Sequence, residues 1–157
     1  MYDWLLALHI LSAAALVAAV VLYSVLIVST RGLDRPSEIV RYFRLARVGD
    51  VLLPIGSLGV LIFGIWLAID VEAYQVWDGW VIAAIVLWFI FGGVGSRLGK
   101  LYNGARDRAG KLVAEGRDEP DAELRKVMTS QTGLILHLTA VLVVVLFFVV
   151  MIYKPGA

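Results

Sequence analysis

The sequence predicts an all-α fold, an integral membrane four-helix bundle with both termini outside and helical extensions on the cytoplasmic side, and three observations lead to it. Of the 157 residues, 61% are hydrophobic and 17% charged, against about half and about a quarter in a soluble domain. Mean hydropathy is +0.86, an excess that one small globule cannot hide from water. The apolar residues are also gathered: the stretches 4–30, 51–69, 79–96 and 134–153 are each bracketed by charge or closed by it, and each is long enough to cross about 30 Å of hydrocarbon. Lipid offers the backbone no hydrogen-bond partner, so a span is either a helix or a strand of a closed barrel. These runs are continuously apolar with no alternation, which selects helices.

The first span opens after Asp3. Its Ala13-Ala14-Ala15 supplies the small residues of a cleavage site, but the head lacks Lys or Arg and the apolar run is too long for a signal peptide, so it reads as a retained helix. The connection 31–50 follows, with Arg31, Arg35, Arg41, Arg44 and Arg47. Within it Pro36, Ser37 and Glu38 form a helix start, and Arg41, Arg44 and Arg47 recur at three-residue spacing on one side of a helical wheel. That pattern predicts a basic amphipathic helix on anionic lipid, where each cation contributes roughly 1 kcal/mol. The plainer alternative is that these arginines only enforce topology.

The second span, 51–69, contains Pro54, Gly56 and Gly59, which predict a structural bend. The third, 79–96, runs on past Arg97 because Leu98, Leu101, Tyr102, Ala105, Ala109, Leu112 and Val113 keep helical spacing. Gly116-Arg-Asp-Glu-Pro120 turns the chain, and a return helix from about Asp121 leads into the fourth span. The whole chain, 1–157, reads as a single membrane domain with connections 31–50 and 97–133.

Sidedness comes from the cations. Thirteen of the fourteen Lys and Arg lie in the two long connections, and only Lys154 lies elsewhere. Positive loops stay cytoplasmic, so both termini are predicted outside a bacterial cytoplasmic (inner) membrane. Tyr2, Trp4, Trp66, Tyr74, Trp77, Trp80 and Tyr153 fall at the predicted outer boundary, as an aromatic belt should. Trp88 alone among the tryptophans is placed near mid-membrane.

Motifs narrow the function less than composition narrows the solvent. With no cysteine there is no disulfide and no thiolate chemistry. Gly92-Gly93-Val-Gly95-Ser96-Arg-Leu-Gly99-Lys100 is not a phosphate loop, since Val94 and Leu101 stand where a glycine and a Ser or Thr are required. Gly92, Gly95, Ser96 and Gly99 instead predict a helix-packing face with a GxxxG pair. Met1, Met128 and Met151 are scattered, which argues against copper handling. No acid lies within a span to carry protons, and no nucleophile is paired with a base.

The two histidines are the remaining polar signal. His9 shares its face with Ser12, Ala13, Ala19 and Tyr23, and His137 shares its face with Gly133 and Ala140, so both are expected to point into the bundle. An ionisable group inside a span is a functional-site candidate, and two inward histidines raise a haem b site. Their depths differ by roughly 15 Å at ~1.5 Å per residue, which disfavours one porphyrin held by both. The alternative is a hydrogen-bonded histidine, His9 at the level of Asp70 and Trp66, His137 at that of Ser96 and Arg97.

From Leu8-His9-Ile-Leu-Ser12 near the start of the first span, the chain resembles the uncharacterised bacterial family called domain of unknown function 2269, four-span membrane proteins that open with a similar Leu-His motif. It is more distantly similar to copper-resistance-D-like proteins and to haem-dependent protoporphyrinogen oxidases of the HemJ type. That resemblance implies His9 as a haem ligand. The residues themselves favour a non-enzymatic accessory or self-associating bundle, a homo-oligomer or a subunit of a larger membrane complex with the lipid bilayer as its surroundings and no nucleic acid as partner. Haem binding and small-molecule transport stand as alternatives.

Overall fold

In a computed structural model, residues 2–71 and 75–155 are described; Met1 and Tyr74, named above among the methionines and in the aromatic belt, lie outside the described residues. The helices are α1 (Tyr2–Ser29), α2 (Pro36–Asp70), α3 (Gly79–Ala114), α4 (Ala122–Met128) and α5 (Gln131–Tyr153). No strand occurs among the described residues. Four helical stretches are long and apolar enough to cross a membrane: α1, α2, α3, and α5 with α4 leading into it.

The helices overrun the predicted spans. At 35 and 36 residues, α2 and α3 are each about 50 Å long, well beyond the hydrocarbon thickness. The expected amphipathic helix is therefore the first part of α2, continuous with the span, because a charged residue ends an apolar run without ending a helix. Its opposite face is also taken. Ile39, Phe43 and Ala46 are buried against Ala105, Ala109 and Leu112 of α3 and Leu124 and Met128 of α4. Arg41, Arg44 and Arg47 are exposed, as are Tyr42, Leu45 and Val48 beside them, while the face with Ile39, Phe43 and Ala46 packs on the chain's own helices.

This basic end is stitched by its loops. The first residues of α2 have no side-chain cap of their own; Asp118, from the turn after α3, supplies one by accepting the Ser37 N–H and hydroxyl at 2.8 Å each. Asp121 caps α4 through the Leu124 amide at 2.9 Å and takes both Arg108 nitrogens at 3.0 and 2.8 Å. Those bonds satisfy amides that a helix start leaves without partners.

In the spans, α1 neighbours α2, α2 neighbours α3, α3 neighbours α5, and α5 returns to α1. Leu16, Val20, Val60, Phe91, Val144 and Phe147 fill the centre, while Val21, Val25, Ile55, Ile62, Phe89 and Ile135 are exposed on the outside. Such a girdle is costly in water and at rest in lipid.

The α1–α2 pair is the closest seam. A Cβ added to Gly56 would sit 2.5 Å from the Leu16 backbone nitrogen, one at Gly59 would collide with the Ser12 hydroxyl, and one at Gly64 would sit 3.0 Å from the His9 ring. Gly56 and Gly59, expected only to help bend the helix, are where α1 lies against α2. The helix runs through Pro54 without interruption, and the Trp88 indole ties α3 to it by donating to the Ser57 carbonyl at 3.0 Å.

Candidate functional site

The seam that closes α1 onto α2 takes in His9. The ring lies between Gly64 and the Val60 backbone, deeper than the Trp66 and Asp70 level expected for it, and its buried Nδ1 has no hydrogen-bond partner. None of the cavities described below is lined by it.

His137 is placed differently. It is 6% exposed, and its Nε2 lies 2.9 Å from the Ser24 hydroxyl of α1, not beside Ser96 or Arg97. Ser24 spends its own proton on the Val20 carbonyl at 2.8 Å, so Nε2 is the donor to Ser24 and the ring takes the Nε2–H tautomer. Ser24 is fifteen residues along α1 from His9, about 22 Å of helix rise. The two imidazoles are thus further apart than the depth count predicted.

No single porphyrin reaches both rings: His9 packs against Gly64 of α2, and the Nε2 of His137 is engaged by Ser24.

His137 does face a cavity, and the cavity has a cause in the sequence. Where α3 passes the basic half of the bundle it presents Gly95 and Gly99, opposite Ala46 of α2 and Ala140 of α5. Four small side chains at one level subtract the volume that a close-packed interior would fill. The space left is about 250 Å³ and is walled by all four long helices. A Cβ at Gly95 would meet no atom within 4 Å, and one at Gly99 only the Asn103 amide nitrogen at 3.9 Å.

Aliphatic and aromatic groups, among them Leu26, Leu53, Phe43 and Phe91, make most of the wall. The polar part is a short chain at the basic end. The Tyr23 hydroxyl donates to Asp50 Oδ1 at 2.6 Å, and Arg106 holds Oδ2 at 3.1 Å. Tyr102 and Asn103 complete it, with the Tyr102 ring 6.4 Å from that of Phe43. Asp50 is the residue next to the apolar stretch of α2, so these groups sit where span meets extension.

Of the four residues predicted as a packing face, Gly95 and Gly99 line this cavity, whereas Gly92 and Ser96 are exposed. No other helix of this chain comes within 4 Å of a Cβ at Gly92. Tyr23, Asp50, Tyr102 and Asn103 were missed as site residues. Asp50 carried the one available signal, a carboxylate at the border of a span with a tyrosine on a predicted inward face to receive it. Among the described residues, no group of three or more His, Cys, Asp or Glu side chains could hold a metal ion.

Residues 3–155 match a family model described as predicted integral membrane protein, DUF2269. No curated protein and no solved structure matches the chain.

Proposed function

The chain belongs to this family of integral membrane proteins, and on that premise we propose that it is a non-enzymatic bundle that binds a small, mainly apolar molecule from within the membrane. We place it in the bacterial cytoplasmic membrane, with the termini outside and the basic end inside, where its cations would stay. One observation carries the reading: a cavity of about 250 Å³, walled by all four long helices, apolar over most of its surface and polar at one end. Ligand sites have this composition, and their usual range begins at about 300 Å³, so the occupant is small. A wall that is mostly apolar gains by taking an apolar guest. The polar groups at its edge are already engaged with one another, Tyr23 and Arg106 on Asp50 and His137 on Ser24, which suits recognition better than turnover.

The test uses n-octanol with the protein in phosphatidylcholine nanodiscs. Octanol should raise the unfolding temperature of the native chain and leave Gly95→Leu and Ala140→Leu, whose new side chains occupy the space, without that rise. Equal shifts in all three would overturn the reading.

Self-association is the second reading. It is favoured by the exposed Gly92, Gly93 and Ser96 on α3, beside which a second helix could approach closely. Crosslinking and native mass spectrometry in mild detergent test it, and a strictly monomeric particle would count against it.

A further inference from the structure

A second space adjoins the cavity at its polar edge. Outside it, between the extensions of α2 and α3, lies a groove of about 600 Å³ whose charged lining is Arg44, Arg47, Arg106 and Lys111 against the single carboxylate Asp107. Arg44, Arg47 and Lys111 make no ion pair among the described residues. Four cations thus face one carboxylate in the lining, and the floor between them is apolar, from Val40, Phe43 and Ala114.

The two spaces share a wall. Phe43 lines both, and Asp50 on the cavity side is bonded to Arg106 on the groove side. That ion pair is partly exposed, at 31% and 45% of the two side chains, the kind that water and salt weaken. Arg47 and Arg44 stand about 6 and 10 Å of helix rise beyond Val51, the first residue of the apolar stretch. Arg47 thus stands within the headgroup layer, which adds about 5–8 Å to each side of the hydrocarbon, and Arg44 just beyond it.

Resting on the cavity reading above, we propose that cavity and groove form one site for a single-chain anionic amphiphile, a phosphate monoester whose apolar tail enters the cavity while its head lies among Arg44, Arg47, Arg106 and Lys111. Charge complementarity selects the head: a phosphate offers its oxygens to guanidinium forks in pairs, which an alcohol cannot. Cavity volume selects the tail, because about 250 Å³ admits one short chain and excludes the paired chains of a bilayer phospholipid.

Three probes separate the parts, each titrated into the full chain in phosphatidylcholine nanodiscs: n-octyl phosphate for both spaces, n-octanol for the cavity and inorganic phosphate for the groove. Octyl phosphate should bind tightest, and its affinity should fall as salt is raised while that of octanol stays level. Arg44→Gln with Arg47→Gln should weaken octyl phosphate by about tenfold or more and leave octanol unchanged; both side chains are exposed and without ion pairs, so the fold survives their loss. Octyl phosphate binding no better than octanol, or unaffected by the double substitution, would overturn the joined site and leave the apolar cavity reading intact. Inorganic phosphate binding as tightly as octyl phosphate would also overturn it, by locating the whole site in the groove. If octanol binds Gly95→Leu and Ala140→Leu as it binds the native chain, the cavity reading itself falls.

Discussion

The glycines of α2 and those of α3 look alike in the sequence and do opposite things in the fold. Gly56, Gly59 and Gly64 are covered by Leu16, Ser12 and His9 of α1: a Cβ at Gly56 would meet the Leu16 backbone, and ones at Gly59 and Gly64 the Ser12 and His9 side chains. Gly92, Gly93 and Gly95 meet nothing within 4 Å. The missing side chains of α2 become contact, and those of α3 become open space. A small residue in a membrane helix is therefore permission for an approach, and whether another helix uses it depends on what that helix carries at the same level. Ser12 and Ala19 make α1 narrow enough to come in, whereas α5 meets α3 with Phe147, Val143 and Val144 higher in the bundle and leaves the basic half unfilled.

The sharpest way to break this contrast is a bulky side chain in the seam. Gly56→Leu should separate α1 from α2 and leave no folded protein in a detergent-resistance or size-exclusion assay, because the obstacle is the Leu16 backbone, which cannot rotate away. A Gly92→Leu control should remain folded. The next effect belongs to the basic end, where Leu124 is fully buried; Leu124→Ala should cost about 2–5 kcal/mol in reversible unfolding, with a low-salt detergent keeping the spans intact. Gly92→Ala should be neutral or stabilise by up to about 1 kcal/mol, since alanine favours the helix and meets no atom there. The same change at Gly56 should destabilise, and a pair of results with the same sign would dissolve the comparison.

The smallest effect is one of acidity. The Ser37 N–H and hydroxyl hold the Asp118 carboxyl below its usual range, and Arg108 does the same for Asp121. A depressed carboxyl stabilises the fold at any pH above its unfolded value of about 3.9, and the contribution fades as pH falls through the lower folded value. Hydrogen exchange at the Ser37 amide should therefore stay protected at neutral pH and open in acid. Asp118→Asn should lose part of that protection already at neutral pH and respond less to acid.

Much of this was legible in the chain itself, for a physical reason. Hydrocarbon demands some twenty uninterrupted apolar residues, and α1, α2, α3 and α5 display them. The return into the last span could be read from Pro120-Asp121, although the structure divides it into α4 and α5 at Thr129 and Ser130. Ser12 and Ala19 are buried as the wheel of α1 indicated. His137 was found as an inward residue, but not its partner. Ser24 stands 113 positions away, and no periodicity connects residues whose helices meet only after folding. The cap that Asp118 places on Ser37 spans 81 positions and was hidden in the same way.

What the sequence determined alone is which surfaces need lipid and which need water, because transfer free energy is a property of each side chain and adds along a helix. What only the tertiary structure decided is where four helices fail to fill the space between them and which polar groups border it. Tyr23, Asp50, Arg106 and His137 come from four different helices, and packing is a relation between side chains at one level that no single segment contains.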